Sequence, residues 1–100
     1  MVVETVERLT LLDPRLDARP RAVTAAPRPV DLRDKRIGLL ANGKPNSEEL
    51  LTALGALLRD RYGVRETIVA RKPNASRVAP EEIVGRLASE CDAVVTATGD

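Results

Sequence analysis

The sequence predicts an α/β fold: a three-layer, Rossmann-like parallel sheet built in the order strand, helix, strand, helix, strand (βαβαβ). Three short apolar runs, at 36–41, 64–70 and 92–98, alternate with two stretches whose aliphatic residues recur at helical spacing. Turn chemistry separates them, with Asn42-Gly43-Lys44-Pro45 after the first run and Arg71-Lys72-Pro73-Asn74-Ala75-Ser76 after the second.

Ahead of this unit, residues 1–34 read as a separate strand or arm. Val2 to Leu12 mixes β-branched residues and leucines in a way that suits a short strand, with helix as the alternative. Residues 14–35 interleave Pro14, Pro20, Pro27 and Pro29 with Arg15, Arg19, Arg21 and Arg28, which interrupts regular hydrogen bonding and predicts an extended segment.

The unit itself spans 35–100. Arg36-Ile-Gly-Leu-Leu-Ala41 is a continuous apolar run of the kind buried on both faces. Asn46 is a good N-cap, and Glu49 three residues later completes a capping-box-like pair. Leu50, Leu51, Leu54, Leu57 and Leu58 are then expected on the apolar face of the first helix, which Gly63 ends in the left-handed conformation after Tyr62. Val64 to Ala70 is the second strand. Pro80 suits the first position of a second helix, whose first turn carries Glu81 and Glu82 at the positive end of the dipole. Ile83, Val84, Leu87, Ala88 and Cys91 repeat on one of its sides, and Asp92 to Thr98 is the third strand. Three parallel strands have two open edges, so the domain is expected to be incomplete or to pair with another chain.

Composition removes several classes of function. One hundred residues bury roughly 60–65% of their unfolded surface, a small core. With no Phe, no Trp and only Tyr62, that core is aliphatic and offers no stacking platform for bases. A net charge of +1 supplies no electrostatic footprint for nucleic acid. No His is present, which excludes imidazole bases and His-ligated metals within the chain. A single Cys forms neither an internal disulfide nor a thiolate metal site alone. The apolar stretches fall far short of the roughly 20 residues of a membrane span, and Glu4 and Glu7 stand where a signal peptide is basic, so the expected compartment is the cytoplasm. No cofactor is expected.

Three loop constellations carry candidate chemistry. Asn42, Lys44 and Asn46 lie in a strand-to-helix turn whose amides, helix N-terminus and lysine are suited to an anion, or which is simply a capped turn with a solvated lysine. The turn lacks both GxGxxG and GxxxxGK[ST], so nucleotide binding has no motif behind it. Lys72 and Ser76 sit in the loop after the second strand, where Lys72 could reach an anionic ligand and Ser76 could bond the backbone; a solvated turn, whose polar composition comes from exposure, is the preferred reading of this loop. Gly99 and Asp100 follow the third strand, where ligands collect in open α/β sheets. Cys91, four residues after Leu87, reads as a buried small hydrophobe rather than a redox centre.

Several blocks together resemble the UGSC (seleno)protein family. They are Lys35-Arg-Ile-Gly-Leu-Leu-Ala-Asn-Gly-Lys-Pro-Asn46, the leucine-rich helix to Arg61-Tyr-Gly63, Arg71-Lys-Pro-Asn-Ala-Ser76, Ala79-Pro-Glu81 and Cys91-Asp-Ala-Val-Val95 ending in Gly99-Asp100. Leu11-Leu-Asp-Pro14 and Ala26-Pro-Arg-Pro29 resemble the family's lead-in. The family is named for Sec/Cys-Gly-Ser-Cys directly after a Gly-Asp pair. The resemblance therefore implies that the chain is the front part of a thiol- or selenol-dependent redox protein, its nucleophile following Asp100 and no catalytic residue lying within these 100 residues. A UGA codon read as stop is the simplest account of such a truncated frame. With strand order 2-1-3, Asn42, Lys44 and Asn46 would face the end of the third strand across the switch-point crevice, where the lysine would favour a thiolate or selenolate. The substrate would be a small molecule or thiol. The alternative is a non-enzymatic binding or assembly module that forms a homo-oligomer through its open sheet edge.

Overall fold

The computed structural model describes residues 2–6, 9–15 and 22–99, the first of these stretches by its backbone. The parallel unit runs β3 (Arg36–Ala41), α1 (Ser47–Tyr62), β4 (Glu66–Arg71), α2 (Glu81–Glu90) and β5 (Ala93–Ala97), preceded by β1 (Val2–Val6) and β2 (Leu9–Leu12). β3 is central, with β4 on one side and β5 on the other, both parallel to it. This is an α/β, Rossmann-like arrangement, and its order is 2-1-3 when the three strands are counted along the chain.

The registers Ile37↔Thr67, Leu39↔Val69, Ile37↔Ala93 and Leu39↔Val95 divide the side chains between two faces, because successive residues of a strand point to opposite sides. Ile37, Leu39 and Ala41 are buried with Leu51 and Leu58 of α1 and with Val64; Ala93, Val95 and Ala97 pack against them. The other face carries Gly38 and Val94 beneath α2. A Cβ on Gly38 would lie 3.0 Å from both Leu87 Cδ2 and Cys91 Sγ, so the missing side chain is what lets α2 approach the sheet. This second face is thinly covered, and Val94 remains 43% exposed.

The buried side of α1 is Ser47, Leu51, Gly55 and Leu58, with Leu54 half-buried. Leu50 and Leu57, expected on the same face, are 61% and 45% exposed. The spacing from 47 through 51 and 55 to 58 rotates the contact stripe away from them: α1 meets the sheet through its small residues as well as its leucines. On α2 the stripe likewise narrows to Ile83, Leu87 and Cys91, leaving Val84 and Ala88 exposed. Pro80 is the N-cap, one position ahead of the helix. Gly63 ends α1 at φ 66°, as its sequence context predicts, with its N–H bonded to the Leu58 carbonyl.

The N-terminal strand expected over Val2–Leu12 is instead an antiparallel pair, Thr5↔Thr10 and Val6↔Leu9, so the mixed spacing records two strands rather than one. Residues 22–31 have no regular secondary structure and are exposed, in keeping with their prolines. The segment joins the domain just before β3, where Asp34 N–H donates to the Gly63 carbonyl (2.8 Å) and Arg65 N–H to the Lys35 carbonyl (2.9 Å).

Candidate functional site

The carboxyl ends of all three parallel strands converge on one corner of the molecule, and Asn42 is its hub. Its backbone N–H donates to the Ala97 carbonyl (3.3 Å), extending the ladder between β3 and β5 by one rung. Its Oδ1 accepts from Lys44 N–H (3.0 Å) and from Gly99 N–H (3.3 Å). One side-chain amide therefore holds both the turn into α1 and the segment leaving β5. Lys72 N–H donates to the Ala41 carbonyl (2.9 Å), which fixes the β4 loop against the same corner. Gly43 sits at φ +94°, and a Cβ there would lie 2.7 Å from the Lys72 carbonyl oxygen, so only glycine permits this close crossing of loops.

Asn46 does not cap α1. It is left-handed (φ 73°) and its side chain makes no capping hydrogen bond, so no capping box forms with Glu49. The loop closes by another route: Ser47, fully buried, donates from both Oγ (2.9 Å) and its backbone N–H (3.4 Å) to the Lys44 carbonyl. Asparagine tolerates the left-handed region better than most residues, which fits it to this position for a different reason than capping.

Gly99 is buried against the first turn of α1. A Cβ at this position would run into the Pro45 carbonyl oxygen and would stand 2.6 Å from the Ser47 backbone nitrogen. The chain leaving β5 thus crosses directly over the N-terminus of a 16-residue helix.

On the α2 side of this corner lies a cleft of about 350 Å³. Asn42, Lys72, Thr96 and Thr98 supply its polar lining; Leu40, Val78, Ala79 and Ala97 supply the apolar remainder. Of the residues singled out from sequence, Asn42 and Lys72 line the cleft, and Gly99 meets Asn42 beside it. Lys44 and Asn46 are exposed in the turn. Ser76 lies outside the lining, its N–H bonded to Asn74 Oδ1 (2.9 Å) in a local turn. Asp100 falls outside the described residues. Arg71, read as the start of the loop, is the last residue of β4; it donates to the Gly43 carbonyl (3.3 Å) and stands 3.7 Å from Glu48. Thr96 and Thr98 also line the cleft and are not among the residues the sequence singles out. Their alternation with Val95 and Ala97 was the available signal, since two hydroxyls two residues apart share one face.

Cys91 belongs to the other end of the sheet, ahead of β5. It is half-buried rather than fully buried, and burial pushes its thiol above the ordinary value, with the Glu90 carboxylate adding to the effect. Among the described residues no group of three or more His, Cys, Asp or Glu is placed to hold a metal ion, and no helix is long and apolar enough to cross a membrane.

A parallel sheet of order 2-1-3 makes this a Rossmann-like α/β protein, with the cleft lying at the carboxyl ends of its strands where the strand order switches. Residues 10–100 match the model of the UGSC family, and the chain belongs to that family. No curated protein and no solved structure matches it.

Proposed function

We propose that this chain is the binding shell of a thiol- or selenol-dependent redox protein of the cytoplasm, whose reactive residue directly follows Asp100. The packing of Gly99 onto the first turn of α1 carries this reading. The family's Sec/Cys-Gly-Ser-Cys follows a Gly-Asp pair like this one, and the second residue after Gly99 lies within about 7.6 Å of it along the chain. A thiol or selenol held there feels the positive end of the helix dipole, which favours its ionised form and is partly offset by Glu48 and Glu49 in the same turn.

The ionised residue attacks one sulfur of a small disulfide. The substrate S–S bond breaks, one half leaves as a thiolate and the other remains in a mixed disulfide. The motif's last cysteine, as a thiolate, then displaces the second half; the substrate gains two electrons and the motif becomes a disulfide or selenenylsulfide, which an external thiol re-reduces.

The test is a chain continued through Cys-Gly-Ser-Cys after Asp100, assayed for reduction of a small disulfide by dithiothreitol. Turnover should appear, vanish when the first cysteine of the motif is serine, and survive Cys91→Ser. Equal rates with and without that cysteine would overturn the proposal.

One observation favours the second reading, a non-enzymatic module that self-associates: among the described residues β5 has a partner only in β3, and its Val94 is substantially exposed.

A further inference from the structure

The proposed redox reading leaves the substrate open, and the cleft narrows it. Lys72 is half-buried in the lining, and its ammonium has no ion pair among the described residues. Asn42 has both backbone N–H groups on its Oδ1, which fixes the orientation of the amide and leaves its Nδ2 hydrogens as unused donors. Thr96 and Thr98 add hydroxyls, and no acidic side chain lines the cleft among the described residues. The polar lining is thus an excess of hydrogen-bond donors around one cation, beside the half-buried Leu40 and the largely exposed Val78.

That balance selects among anions. A phosphate is normally held by several backbone N–H groups at a loop and helix N-terminus. Here Lys44 N–H is consumed by Asn42, Ser47 N–H by the Lys44 carbonyl, and Glu48 and Glu49 place negative charge in the first turn of α1. A carboxylate needs only one cation and one or two donors, and an aliphatic body would occupy the remainder. At about 350 Å³ the cleft has the size of a small-molecule site.

We infer that the cleft binds a small aliphatic carboxylate, its carboxyl group held by Lys72 Nζ and Asn42 Nδ2. This inference rests on the redox reading only for its consequence, that the substrate of the neighbouring nucleophile bears a carboxyl group; binding itself needs no nucleophile.

The 100-residue chain therefore provides the test. Titration with isobutyrate, followed by amide and side-chain NMR shifts, should give saturable changes at Asn42, Thr96 and Thr98 with affinity of about millimolar. Isobutyramide, which lacks the charge, and inorganic phosphate should bind at least tenfold more weakly. Lys72→Met should weaken isobutyrate at least tenfold, Lys72→Arg should retain most of it, and Arg65→Met, at the opposite end of the sheet, should change nothing. No saturable shift, equal binding of isobutyramide, tighter binding of phosphate or indifference to Lys72→Met would each overturn the inference, and the isobutyramide comparison stands even if a variant fails to fold. Absence of disulfide turnover in the continued chain would sink the redox reading while leaving this binding result untouched.

Discussion

At the scale of single residues, Asn42 and Cys91 hold opposite ends of β5 by opposite means. Asn42 satisfies two backbone donors at once, so Asn42→Ala leaves Lys44 N–H and the part-buried Gly99 N–H without their acceptor. The expected loss is about 1–3 kcal/mol, read as a lower urea midpoint at unchanged slope. Asn42→Asp preserves the acceptor and should recover most of the stability while weakening anion binding. Cys91 is governed by burial. Its raised thiol pKa means that the folded state holds the proton more tightly than the unfolded chain. The corresponding stability is fully present below the unfolded pKa and is lost as pH rises through the folded one, because the unfolded state ionises first. Comparing denaturation of the chain with that of Cys91→Ala should show a steeper alkaline decline for the chain that keeps the thiol. Parallel curves would mean that the thiol is not protected by the Gly38–Leu87 packing.

At the scale of elements, α1 separates what its leucines say from where they go. Hydrophobic spacing identified the helix and Gly63 its end, since both depend on residues adjacent in sequence. It did not identify which leucines are buried, because that is set by how a buried Ser47 and Gly55 let the helix lie on β3. Leu51→Ala should cost about 2–4 kcal/mol, whereas Leu50→Ala should stay within about 0.5 kcal/mol; similar losses would contradict the rotated contact face. The three parallel strands were legible for the same local reason, as short apolar runs punctuated by turns. The N-terminal pair was not, because mixed spacing cannot reveal an antiparallel partner a few residues away. Of the candidate site, Asn42 and Lys72 were legible as polar residues at strand ends, while the role of Thr96 and Thr98 depends on β5 lying beside β3, which no local pattern states.

At the scale of the whole molecule, a three-stranded sheet with α1 on one face and a thinly covered face under α2 leaves β4 and β5 each with one open side among the described residues. Exposed backbone edges favour pairing with another strand. Sedimentation across a concentration series is expected to show reversible self-association of the 100-residue chain, weakened by a charged Val94→Lys on β5; a monomer at every concentration would count against the assembly reading. We propose that the corner where the segment leaving β5 crosses the first turn of α1 holds an ionised thiol or selenol. The direct measurement is the pH dependence of iodoacetamide alkylation of the first cysteine in the chain continued through Cys-Gly-Ser-Cys. A midpoint at least one pH unit below the ordinary thiol value of about 8.5 is the predicted result; a midpoint at or above that value would contradict the account.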